Sequence, residues 1–138
     1  MGVDKAKKRI IDGLLTEYFL LIPQEIKKVN DEEKMIRLSG VKAVTYTAMP
    51  HSHSNEDKIM NTISKLENCN SKRSVLYDRM KVIEKRLDIK RYPGKYLELM
   101  EKVFTTDSYT KAGKQLGYSK NQVFRSMSKI YERMQRNI

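Results

Sequence analysis

Lys120, Asn121, Gln122 and Arg125 fall within six consecutive residues, and Lys129 follows one helical turn later. Asparagine and glutamine amides can bond an adenine edge at two points, and arginine and lysine can do the same with guanine. Lys111 and Lys114 lie just upstream, where a point charge can meet a phosphate. Base edges and phosphates are the chemistry that this set of side chains can address. Other constellations are poorer. His51-Ser52-His53 with Glu56 and Asp57 can be drawn as a metal site, but a His-x-His pair in a loop lacks the rigid ligand set that zinc needs. Cys69 has no histidine in a compatible local pattern, no Gly-rich phosphate loop occurs, and the carboxylates are interleaved with lysines as on a solvated face. The sequence therefore points away from an enzyme, with no catalytic residues, no metal and no cofactor expected.

Those side chains need elements to aim them. Ser108 and Ser119 read as N-caps of two short helices. The first, Tyr109 to Leu116, ends in Leu116-Gly117, and Gly117 can take the backbone conformation that other residues resist at a helix end. Ala112 and Gly113 are small enough for two helices to approach closely, and Leu116 can fill the gap between them. In the second helix Val123, Met127, Ile130 and Met134 share one stripe, which leaves Lys120, Asn121, Gln122, Arg125 and Lys129 on the other face. A short helix, a tight glycine turn and a second helix with polar residues in its first turn make a helix-turn-helix. A plain solvated helix following a glycine-ended one is the alternative.

Charge favours the same region. The chain carries 28 Lys and Arg against 17 Asp and Glu, a net +11. Eleven basic and four acidic residues lie between Lys90 and Ile138, so the excess concentrates in the last third. A basic excess draws a protein to polyanions, of which nucleic acid is the commonest. No run of 18 apolar residues occurs, so no membrane span is expected, and a single cysteine fits a reducing cytosol.

The remainder reads as helix. From Val3 to Val29 the residues Ile11, Leu15, Tyr18 and Ile22 form a helical stripe, and Pro23 should kink or split it about one turn upstream. A second short helix is expected from an N-cap at Asp31 toward Val44, with a break at Ser39-Gly40. Residues 47–55, with Pro50 and several serines, read as a loop. Residues 55–89 then lack Pro and Gly. Ile59, Leu66, Cys69, Leu76, Met80, Ile83 and Leu87 fall near heptad a and d positions, with Thr62 and Arg73 as polar members. That seam serves either an intramolecular bundle or a homodimer. Tyr92-Pro93-Gly94 ends the long helix. The expected fold is all-α: a helical region over 1–90 with a long central helix, then a small helix-turn-helix module over 91–138.

Tyr109 to Ile130 resembles the helix-turn-helix of sigma-factor region 4, in which an aromatic residue and a hydrophobic-small pair precede Leu-Gly-aromatic-Ser, with a valine four residues on. The wider layout is similar to phage late-gene transcriptional activators of the RinA and ArpU type. The sharp match spans about 25 residues; the rest is likeness of layout. The resemblance implies a bacterial or prophage regulator in the host cytoplasm, binding double-stranded promoter DNA, with RNA polymerase as a further partner. It places base reading on Lys120, Asn121, Gln122, Phe124 and Arg125, and phosphate contacts are expected at Lys111, Lys114, Ser119 and Lys129. Phe124, at a usually polar position, can touch a thymine methyl or pack. Ala112-Gly113 departs from the usual Ile-Ala pair, and a mid-helix glycine costs up to about 1 kcal/mol, which predicts a weaker first helix. The competing function is a helical protein–protein adaptor whose basic face is incidental.

Overall fold

The computed structural model describes residues 2–46 and 53–138, giving the backbone alone for 40–46 and 53–55. Among the described residues there is no strand, and helices account for nearly all of the chain. Helix α1 (Lys5–Thr16) starts where the Asp4 carboxylate accepts from the Ala6 N–H at 3.0 Å. It runs into a π-helical turn over Glu17–Leu21, and α2 (Ile22–Tyr46) follows. Pro23 explains the wide turn. Its ring has no N–H to donate and would crowd the carbonyl four residues back, and in the widened turn the Ile22 N–H reaches the Glu17 carbonyl five residues back. The break expected before Pro23 is thus a π-helical turn.

The short second helix capped by Asp31 is not found. Asp31 is exposed within α2, and the backbone stays helical through Ser39 and Gly40. Ion pairs one turn apart, Lys28–Glu25 at 3.1 Å and Arg37–Glu33 at 3.0 Å, support continuation on either side of the cap signal. Helix α3 (His53–Leu87) begins two residues earlier than expected. Of the proposed loop 47–55, residues 47–52 lie outside the described residues, as do His51 and Ser52 of the His-x-His pair. No helix is long and apolar enough to cross a membrane among the described residues.

Asp88, left-handed at φ 54°, ends α3, and a 3-10 turn over Ile89–Arg91 leads to Pro93, the N-cap of α4 (Gly94–Thr106). Asp107, at φ 52°, ends α4. Aspartate is among the few side chains that tolerate this region. Helices α5 (Tyr109–Leu116) and α6 (Lys120–Met134) complete the chain with a short 3-10 turn, Gln135–Asn137.

The chain divides into two compact units, one made of Met1–Pro23 with Arg79–Ile138, the other of Gln24–Asp78. The first holds a broad apolar core: Ile11, Leu14 and Leu15 of α1, Ile83 and Leu87 of α3, Leu99, Met100 and Val103 of α4, and the α6 stripe are all buried. Helix α1 and the π-helical turn after it are tied in by further side-chain contacts. Asp12 accepts from the Tyr131 hydroxyl, Tyr18 donates to Glu84 at 2.6 Å, Arg79 pairs with Glu17 at 2.6 Å, and the rings of Phe19 and Phe104 stack at 6.5 Å. Burial and the carboxylate facing it push the phenol of Tyr131 well above its ordinary range, as burial and Glu84 do for Tyr18. The expected division at residue 90 differs from this. The last three helices share their core with the first 23 residues, because an apolar α1 stripe has to be buried and they cover it.

In the second unit α2 and α3 are joined across by Arg73, which donates to Asn30 at 2.9 Å and to Glu33, and by Lys72, which pairs with Glu32 at 3.3 Å. The seam read from the sequence is therefore used within the chain here. Cys69 is fully buried, Leu66 and Leu76 are half-buried, and Ile59 is largely exposed.

Candidate nucleic-acid interface

Helices α5 and α6 are joined by the three residues Gly117–Ser119, and each junction is closed by a specific hydrogen bond. The Ser108 hydroxyl accepts from the Lys111 N–H at 3.2 Å and so fixes the start of α5. Gly117 adopts φ 78°, and the Tyr118 N–H reaches back to the Gly113 carbonyl at 2.8 Å, which satisfies a carbonyl that the helix end would orphan. The Ser119 hydroxyl accepts from the Gln122 N–H at 3.2 Å while the Gln122 Oε1 accepts from the Ser119 N–H at 2.8 Å, a reciprocal capping box.

Gly113 has a different role from the one its helix propensity implies. A Cβ placed on it would lie 2.5 Å from the Tyr118 carbonyl oxygen and 3.3 Å from Val123 Cγ2. The turn folds back over this residue, so any side chain there would push the turn and α6 away. A glycine that weakens α5 by about 1 kcal/mol is what lets α5 and α6 meet.

The stripe read from the sequence is the buried face of α6. Val123, Met127, Ile130 and Met134 are buried, and Tyr131 joins them. Burying each of the aliphatic side chains contributes about 1.5–3 kcal/mol, an upper bound by area. This anchors α6 and fixes its rotation. Lys120, Asn121, Gln122, Phe124, Arg125 and Lys129 are all exposed, as are Lys111 and Lys114 on α5. At 100° per residue, Asn121 and Arg125 point most directly away from the buried stripe. Gln122 and Lys129 flank them on the side toward α4, and Phe124 flanks them toward α5.

The surroundings of three side chains bear on their expected use. The oxygen of Gln122 is held at the cap, so only its amide N–H groups remain to donate, and the bidentate pairing with adenine needs both ends of the amide. The spacing Ser119-x-x-Gln122 is the sequence signature that marks this. Phe124 is 59% exposed and touches the edge of the Tyr109 ring at a centroid distance of 6.3 Å, so it is only partly packed. Ser119, expected at a phosphate, has its hydroxyl engaged with Gln122.

Electrostatically the surface is one-sided. No aspartate or glutamate occurs between Ser108 and Tyr131, a stretch with five lysines and arginines. Glu132 lies seven residues beyond Arg125 on the same outward face, so the stretch free of carboxylates ends there. Lys95, which the sequence reading passed over, lines a cleft of about 260 Å³ between α4 and α6 together with Tyr118, Gln122, Arg125 and Lys129. Its signal in the sequence was faint, a lone lysine in the first turn of a helix not assigned to the motif. Among the described residues, no group of three His, Cys, Asp or Glu side chains is placed to hold a metal. No protein-family model matches the chain, and neither does any curated protein or any solved structure.

Proposed function

We propose that the chain is a sequence-specific double-stranded DNA-binding transcription regulator that inserts the first turns of α6 into the major groove. The observation that carries this reading is the close junction of α5 and α6 over Gly113, which holds α6 with Asn121 and Arg125 exposed opposite its buried stripe and Lys120 exposed in its first turn. A helix presented in this way fits the width of the major groove. Asn121 and Arg125 read base edges, Lys120 reaches from the first turn, and Phe124 contacts a thymine methyl. Lys111, Lys114 and Lys129 meet phosphates, which position the helix without carrying sequence information. No catalysis is part of the proposal. As implied by the resemblance to phage late-gene activators, the setting is a promoter in a bacterial cytoplasm, with RNA polymerase as a further partner. A homodimer would set two α6 helices on paired half-sites.

Binding to selected and random duplexes across a salt series tests the proposal. Arg125→Ala should cost about 1–3 kcal/mol on a selected site and much less on random DNA. Lys114→Ala should weaken both alike and lower the salt slope by about one. Absence of any retardation of duplex DNA would overturn the proposal. The adaptor reading draws on a separate observation, the exposed Met35, Leu38, Met60 and Val75 of the second unit, and it would then take its place.

A further inference from the structure

We propose that the cleft between α4 and α6 seats one backbone phosphate of bound duplex DNA between Lys95 and Lys129, making α4 part of the interface. The inference rests on the DNA-binding reading and adds to it a contact outside α5 and α6. The cleft is lined by three cations, Lys95, Arg125 and Lys129, and by no carboxylate. Among the described residues none of the three lies within ion-pair distance of an acidic side chain. Three cations along one cleft with no carboxylate beside them leave it free to take an anion that other contacts bring there.

The position of the cleft makes that anion a phosphate of the duplex. Arg125 and Gln122 belong both to the outward face of α6 and to the cleft wall, so the cleft opens beside the residues proposed to read bases. When a helix lies in the major groove, the sugar–phosphate backbone runs along its flank. The flank toward α4 is this cleft. Lys95 is held at its edge, with its ammonium 5.2 Å from the centre of the Tyr96 ring. Gln122, whose oxygen is occupied at the cap, still has amide N–H groups to offer a phosphate oxygen. The side chain thus changes from adenine reader to phosphate donor. A free anion gains little here, because exposed lysines bind it only in high dielectric. The duplex adds all its other contacts and brings the phosphate with it.

The test is binding of Lys95→Ala to random and selected duplexes across a salt series, beside Lys95→Arg, Lys114→Ala and Lys85→Ala. Lys85 is an exposed lysine of α3 outside the cleft, so its loss controls for net charge alone. Lys95→Ala should lose about five-fold in affinity on both duplexes at about 150 mM salt and flatten the log–log salt slope by about one. Lys95→Arg should restore both. Millimolar inorganic phosphate should compete no better than chloride at equal ionic strength. If Lys95→Ala behaved as Lys85→Ala while Lys114→Ala still lowered the slope, the cleft assignment would be overturned and DNA binding would stand. Competition by inorganic phosphate beyond its ionic strength would also overturn it, in favour of a free-anion site. If the unaltered protein bound no duplex at all, the DNA reading would fall and the cleft assignment with it.

Discussion

Beside the unit formed by Gln24–Asp78, the unit of Met1–Pro23 and Arg79–Ile138 buries a far larger set of apolar side chains. Among the described residues, Val29 and Cys69 are the buried apolar members of the Gln24–Asp78 unit, whereas the other unit buries residues from α1, α3, α4, α5 and α6. What joins α2 to α3 is instead polar: Arg73 with Asn30 and Glu33, and Lys72 with Glu32. Met35, Leu38, Met60 and Val75 stay exposed there. One unit is held by area removed from water and the other leans on charge. Burial is little affected by charge screening or by mild acid, and ion pairs are sensitive to both.

The larger core is most sensitive at Met127, which is fully buried in its unit. Met127→Ala should destabilise that unit by about 3 kcal/mol, from lost transfer free energy plus a cavity. Amide hydrogen exchange along α6 should accelerate accordingly. Little change there would mean that the core is looser than its burial implies. Gly113→Ala should cost less, about 2 kcal/mol, since the added Cβ meets backbone that has to move. Chemical denaturation reads the loss, and unchanged or raised stability would show that the turn can shift freely. On the DNA-binding reading the same variant also loses affinity, because α6 is displaced.

Acid should sharpen the contrast with the smallest effect. Hydrogen bonds from Arg73 and then Arg37 hold the Glu33 carboxyl down at about 2. A carboxyl whose folded value lies below its ordinary 4.5 contributes stability that is present above that value and lost as pH falls toward about 2. Protection of α2 and α3 amides in the Gln24–Asp78 unit should therefore decline over this window, while α6 amides hold. The other unit has the Glu17–Arg79 pair to lose in the same direction, but its core does not depend on it. Cys69 gives a second readout at neutral pH. It is the single cysteine and is fully buried, so Glu33→Gln should speed its thiol labelling. An unchanged labelling rate would mean that the polar ladder is decorative.

Legibility in the sequence followed the range of the interaction. Ser108, Ser119, Gly117 and the Val123–Met134 stripe act within a turn or two of themselves, so the helix ends and the buried face of α6 could be read directly. Asp31 shows the limit of such local signals, because a capping residue inside a well-paired helix is overridden. The sharing of one core by α1 and the last three helices could not be read, because no local pattern records which stripe meets which. The small size of Gly113 marks a close helix approach, but its particular neighbours Tyr118 and Val123 could not be read, since they are brought to it only by the fold. Lys95 was missed for the same reason: its cleft is shaped by α4 and α6 together.

The discontinuity of the larger unit also sets an order of events during synthesis. Met1–Pro23 leaves the ribosome before Arg79–Ile138, which holds the helices that cover its apolar stripe. At about 5–20 residues per second, Ile11, Leu14 and Leu15 of α1 wait several seconds for α6 to be made. The α2–α3 segment between them can pair in that interval, since both of its strands of sequence are already out. A nascent chain halted before α6 would thus carry a paired α2–α3 and an α1 stripe only partly covered, which is the state a chaperone would meet.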